Sequence, residues 1–88
     1  MKLVNAQEMA KKYPETFEAP TQEDLNLVNV GDFVKLCFND KERMWVQVTY
    51  RNGDELKGTL ANDPILIKDL KYGDLINFKL ENIYTLEK

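Results

Sequence analysis

Two periodicities run along this chain, and they change over near residue 30. Before that point apolar residues recur at helical spacing. Ala6, Met9, Ala10 and Tyr13 fall at i, i+3, i+4 and i+7, on one face of a helix from about Ala6 to Lys12. Asn5 and Glu8 have the spacing of a capping box at its start. Pro14 ends it, because the residue before a proline is driven out of helical backbone. So short a helix is marginal alone, and its apolar face must dock. Thr21, followed by Gln22-Glu23-Asp24, caps a second helical turn or two through Leu25 and Val28. Between them, Glu15 to Thr21 reads as an extended connector bounded by Pro14 and Pro20. Phe17 is its one large apolar group, and anchoring in the core is favoured over gripping a partner.

After residue 30 the period becomes two. In Phe33 to Phe38, Val34, Leu36 and Phe38 share one face, while Phe33, Lys35 and Cys37 share the other. Asn39-Asp40-Lys41 is a polar loop. Met44, Val46, Val48 and Tyr50 then alternate with Trp45, Gln47 and Thr49 in the longest strand-like run. Asn52-Gly53 predicts a type I′ hairpin turn, with both residues at positive φ. The return strand brings Leu56, Gly58 and Leu60 inward together. A glycine in mid-strand marks a bulge or a close approach, for which the indole of Trp45 is a candidate. Ile65 to Leu70 reads as one helical or 3₁₀ turn plugging an open end of the sheet. Ile76, Phe78 and Leu80 form the next core face, and Ile83 to Leu86 the last strand. Two strands begin at a Gly-Asp pair, Gly31-Asp32 and Gly73-Asp74, one recurring way to start a strand rather than a duplication.

These elements predict an α+β fold dominated by strand. Its centre is a small, strongly bent antiparallel sheet or a partly open five-stranded barrel, with the N-terminal helix packed on it. Residues 1–88 form a single domain, with 1–29 as a helical and extended cover and 30–88 as the β-rich core.

Composition narrows the chemistry more than it names one. Apolar residues are 43% and charged residues 31%, an ordinary globular balance. The net charge of -3 works against non-specific nucleic-acid binding. There is one cysteine and no histidine. A disulfide within the chain and a Cys/His zinc cluster are therefore excluded, as are Ser-His and Cys-His nucleophile pairs. With no second cysteine to pair it, Cys37 reads as a packing residue. No serine is present, so no nucleophile elbow can be built, and the four glycines form no phosphate loop. The N-terminus lacks the apolar length of a signal peptide, and no run approaches a membrane span. The expectation is a cytoplasmic protein without cofactor or metal.

Carboxylates remain. Asp32 and Asp74 follow turn glycines, where an aspartate accepts backbone hydrogen bonds, and Asp54 sits beside the hairpin tip. A hard-cation site from Asp40, Glu42 and Asp63 matches no calcium loop. Phe33, Trp45 and Tyr50 lie near Lys35, Arg43 and Arg51, the ingredients of a stacking platform, but Asp40, Glu42, Asp54 and Glu55 dilute the bases. Trp45 is the most informative residue, because alternation sets it opposite Met44, Val46 and Val48. Either the N-terminal helix or Phe17 covers it, which the helix's need to dock favours, or it stays partly open as a recognition patch. Arg43 beside it pairs with Glu42 or Asp63, or contacts an acidic ligand.

Four segments in succession carry a resemblance. Gly31-Asp32-Phe33-Val34-Lys35-Leu36, Glu42-Arg43-Met44-Trp45-Val46, Gly58-Thr59-Leu60-Ala61-Asn62-Asp63-Pro64 and Gly73-Asp74-Leu75-Ile76-Asn77-Phe78 resemble a group of uncharacterised small bacterial proteins. The resemblance covers about Thr16 to Ile83. Some similar domains are predicted immunity proteins, which neutralise a bacterial toxin by binding it. It implies a fold and assigns no catalytic residues. The expected function is a non-enzymatic protein-binding module, immunity-like, with Arg43, Trp45, Asn62 and Asp63 as the binding surface. An acidic binder suits a basic toxin such as a nuclease. A nucleic-acid-binding small barrel and an unrecognised enzyme are the alternatives.

Overall fold

The computed structural model describes residues 2–87. Helix α1 spans Ala6–Lys12 and α2 spans Gln22–Asn26. The strands are β1 (Phe33–Phe38), β2 (Glu42–Asn52), β3 (Glu55–Leu60), β4 (Leu75–Lys79) and β5 (Ile83–Glu87). They form one antiparallel sheet in the order β4-β3-β2-β1-β5, which does not close into a barrel. A 3₁₀ turn, Leu80–Asn82, joins β4 to β5.

Both helices start where their caps predict. The Asn5 side chain accepts the Glu8 N–H at 3.0 Å, and the Thr21 hydroxyl accepts the Asp24 N–H at 3.1 Å. The α1 face is shallower than its spacing suggests: Ala6 is buried, Met9 and Ala10 are partly buried, and Tyr13 is exposed. Helix α2 sends Leu25, together with Val28 just beyond it, into the main core.

One face of the sheet is that core. Val34, Leu36, Phe38, Met44, Val46, Val48, Leu56, Leu60, Ile76 and Phe78 are all buried there, as strand alternation predicts. The alternation breaks in β2. The register slips between Val48 and Tyr50, so that Val48 pairs with Gly58 and Tyr50 with Lys57. This bulge inserts one residue and swaps the faces beyond it. Tyr50, expected on the core side, is 43% exposed, and Arg51 turns inward. The Arg51 guanidinium donates to the carbonyls of Leu25, Asn26 and Val28 at 3.0, 3.2 and 2.7 Å. It thus gathers the carbonyls at the C-terminal end of α2, where that of Leu25 also accepts the Val28 N–H at 3.2 Å.

Gly58 sits opposite the bulge. A Cβ there would lie 2.5 Å from both the Gln47 carbonyl oxygen and Val46 Cγ1. The close approach that the glycine permits is therefore to the β2 backbone, not to the indole of Trp45. The β2–β3 turn is also shifted. Asn52 pairs with Glu55, which leaves Gly53-Asp54 as the two loop residues. Only Gly53, at φ 61°, is left-handed there, as in a II′ turn. The two consecutive left-handed residues are Asn39 and Asp40, between β1 and β2.

The two Gly-Asp pairs are built alike. Asp32 Oδ2 accepts the Asn29 N–H at 2.9 Å, and Asp74 Oδ2 accepts the Lys71 N–H at 3.0 Å. Gly31 donates to the Val48 carbonyl while Asp32 accepts the Val48 N–H, and Gly73 and Asp74 repeat this with Leu60. Each pair closes a tight turn with the carboxylate and ties it to the neighbouring strand with the backbone. The segment Ile65 to Leu70, expected as a helical plug, is irregular. Only Ile67 is buried, while Ile65 and Leu66 are 77% and 58% exposed.

Two substitutions test this packing. Gly58→Ala should destabilise the fold by about 2 kcal/mol in urea unfolding, because one of the two clashing atoms is backbone and has little room to move. Arg51→Ala should cost about 2 kcal/mol through the loss of charge-assisted bonds to α2 and Val28. Backbone amides in α2 should then lose hydrogen-exchange protection ahead of the strands.

Candidate functional site

The face of the sheet opposite the core divides into two regions. At one end a small cluster forms from Ala6, Cys37 and Tyr84, with Val4, Phe17 and Ala19 packed against it. The chain reaches it because Val4 donates to the Cys37 carbonyl and Asn39 donates to the Lys2 carbonyl, at 3.1 and 2.6 Å. The N-terminal segment thereby lines the edge of β1 beyond β5, which pairs with Phe33 to Leu36. The Phe17 ring meets Tyr84 edge-on, with centroids 4.9 Å apart. Phe17 is thus the anchor that its isolation in the connector implies. Burial, followed by the nearby Cys37 thiol, pushes the Tyr84 phenol up to about 12, while Arg43 opposes the rise. That hydroxyl stays protonated well above neutral pH.

The helix and Phe17 therefore cover Cys37 and Tyr84 rather than Trp45. Trp45 remains partly exposed on the second region. Its strand neighbour Lys35, directly opposite in register, holds Nζ 4.9 Å from the ring centroid. Phe33 and Gln47, the next pair along the same face, are exposed, as is Leu75 beyond Thr59 on β4. Arg43 is exposed as well, with Cζ 4.7 Å from the Tyr84 ring centroid. Its contact is thus a ring.

Asn62 does join Trp45, through the backbone. Its side-chain oxygen accepts the Trp45 N–H, and the Trp45 carbonyl accepts the Ala61 N–H at 2.9 Å. Asn62 is consequently a staple between the loop after β3 and the stretch of β2 that lies beyond the end of β3. Asp63 is exposed at the next position. Of the four residues chosen from the sequence, Arg43 and Trp45 share the outer face, Asn62 holds the strand beneath them, and Asp63 makes no contact that defines a site.

Sequence reasoning missed the role of Glu42. Its carboxylate accepts three successive amides: Ile65 at 2.9 Å, Leu66 at 2.9 Å and Ile67 at 3.3 Å. Those bonds, led by Ile65 and Leu66, hold its pKa below the ordinary 4.5 despite opposing desolvation. The carboxylate takes the place of helical hydrogen bonds in that loop, which explains its irregular path. An apolar run that follows Pro64 and begins 23 residues from the acid carries no periodic signal of such a bond. With Glu42 so engaged, the cation set Asp40, Glu42 and Asp63 is not assembled. Among the described residues no three acidic or sulfur side chains converge on a possible metal site. Two surface grooves of about 620 and 580 Å³ lie elsewhere, one near Glu55, Lys79 and Asn82, the other near Asn5, Met9 and Asn39. Trp45 lines neither of them, while Tyr50 and Lys57 on the same outer face line the first.

The Glu42 bonds have a pH signature. A lowered folded pKa means that the carboxylate's stabilisation is fully present above the unfolded value and is lost as pH falls through the folded one. Hydrogen exchange by NMR should show Ile65 and Leu66 amides protected near neutrality and opening early on acidification. Glu42→Ala should abolish that protection at all pH values while the β1–β2 amides stay protected. Glu42→Gln, which keeps one acceptor oxygen, should abolish only part of it.

No helix among the described residues is long and apolar enough to cross a membrane. Searches of the curated proteins and of the solved structures return no match to this chain. A family model does match, over residues 1–85, a longer span than the sequence motifs alone delimit. The chain therefore belongs to the family described as an uncharacterized protein conserved in bacteria, DUF2314.

Proposed function

We propose that the protein is a non-enzymatic protein-binding module, immunity-like in mode, that docks its partner on the outer face of the sheet around Trp45. One observation carries the reading. The N-terminal cover stops at the Cys37–Tyr84 cluster and leaves Trp45 partly exposed beside exposed Phe33 and Gln47. A large aromatic on a rigid, uncovered strand is an inexpensive anchor, since little conformational freedom is lost when it is buried. An open sheet surface suits a protein better than a small ligand, which needs concave burial. The shared edge with Arg43 extends the same surface. A cytoplasmic setting agrees with the single unpaired cysteine.

The test uses the tagged chain at native expression in its own bacterium, with Trp45→Ala as the comparison. Wild-type protein should retain a stoichiometric partner after crosslinking, and the variant should lose at least about tenfold of it. Circular dichroism and thermal unfolding should show that the variant remains folded. A partner held equally by both proteins would refute the reading. If that partner is a toxin, co-expression should restore growth with wild type and fail with Trp45→Ala.

A further inference from the structure

We propose that the partner meets this face with carboxylates: Lys35, Arg43 and Lys57, each seated over an aromatic ring, form a dock for an acidic protein surface. The inference rests on the docking reading above and adds its chemistry. Lys35 Nζ lies 4.9 Å from the Trp45 centroid, Lys57 Nζ 5.2 Å from that of Tyr50, and Arg43 Cζ 4.7 Å from that of Tyr84. A cation in that position is drawn to the negative face of the ring. Two of the three are cross-strand pairs, Lys35 with Trp45 and Tyr50 with Lys57, so the sheet register builds them. The bulge in β2 is what brings Tyr50 to this side. Long side chains already held over rings lose less freedom on binding than free ones.

The charge distribution agrees. The outward positions of the strands carry Lys35, Arg43, Lys57 and Lys79 against Glu55 and Glu87, although the chain as a whole is at -3. The strand positions of this face are thus net positive, with Asp40 the acid near the Arg43–Tyr84 pair. An acidic partner would be drawn to it and turned away elsewhere, which orients the encounter. Net charge alone favours a basic partner, and the placement of charge reverses that choice.

A nucleic acid is also anionic, but its bases need free ring faces on which to stack. Here ammonium groups occupy positions over Trp45 and Tyr50, and the negative net charge opposes a polyanion. Carboxylates on a protein fit better.

The experiment is an NMR titration of isotope-labelled protein at low salt with decaglutamate, and in parallel with a ten-nucleotide oligothymidylate. Decaglutamate should shift the amides of Lys35, Trp45 and Lys57 and the Trp45 indole N–H. Those shifts should vanish at about 0.5 M salt, where screening is short-ranged. The double variant Lys35→Gln/Lys57→Gln, with spectral dispersion unchanged, should bind decaglutamate roughly fivefold more weakly. No shifts on this face, or tighter binding of the oligonucleotide, would overturn the proposal. Native capture separates it from the reading beneath it. Loss of the partner by both Trp45→Ala and Lys35→Glu/Lys57→Glu supports both. Loss by Trp45→Ala alone refutes the acidic class and leaves the docking face standing. Loss by neither refutes both.

Discussion

Strand β2 runs between β1 and β3, and the bulge between Val48 and Tyr50 decides what each half does. Before it, the even positions fill the core. After it the parity is reversed, so a guanidinium points inward and a phenol outward. Each consequence stabilises a different layer. Arg51 finds three carbonyls around the end of α2, and without them an inward charge there would carry an uncompensated desolvation cost. Tyr50 joins Lys57 on the exposed face. Gly58 is the condition for all of this, since only a residue without Cβ lets β3 follow β2 so closely at that point. The small size of the fold makes the condition severe. A domain of this length buries only about 60–65% of its unfolded surface and has little stability in reserve.

Much of the architecture was legible because period and punctuation are local properties. Asn5, Pro14 and Thr21 bound the helices, and the alternation of Val34, Leu36 and Phe38, then of Met44, Val46 and Val48, names the core face. Tyr50 defeated the same rule because a bulge leaves no mark on the residues that flank it. Gly58 did hint at one, but a glycine does not say which neighbour approaches. The Asn52-Gly53 pair suggested a particular turn, and the ladder placed the loop one residue later, where pairing along β2 and β3 outweighed the turn preference.

The site was legible in part for the same reason. Alternation separated Trp45 from the core strand, but no local rule says where an N-terminal helix will dock. That depended on Val4 pairing with Cys37 and on Phe17 reaching Tyr84, contacts between residues far apart in sequence. Asn62 does lie against Trp45, where its partner is the peptide N–H. Glu42 looked like one member of an acidic scatter. Its importance lies in holding the backbone that begins at Ile65, so the acid beside Arg43 shapes a loop instead of neutralising the arginine. The family match extends the domain to its first residues, consistent with a short N-terminal pairing segment being integral to the fold.

The position of β1 between β2 and β5 bears on how the chain matures in the cell. Its first neighbour is joined to it by a three-residue turn and can pair at once. Its second neighbour is β5, made some fifty residues later, at Ile83–Glu87. The clasp of Asn82 onto the Val4 carbonyl and of Asn5 onto Glu81 waits just as long. A nascent chain still tethered to the ribosome thus holds a complete hairpin whose β1 edge lacks β5, and its N-terminal segment is held only by its pairing near Cys37. Slow synthesis across the loop from Ala61 to Asp74 would prolong that exposure, making this the interval in which a chaperone or a second unfinished copy competes for the same strand.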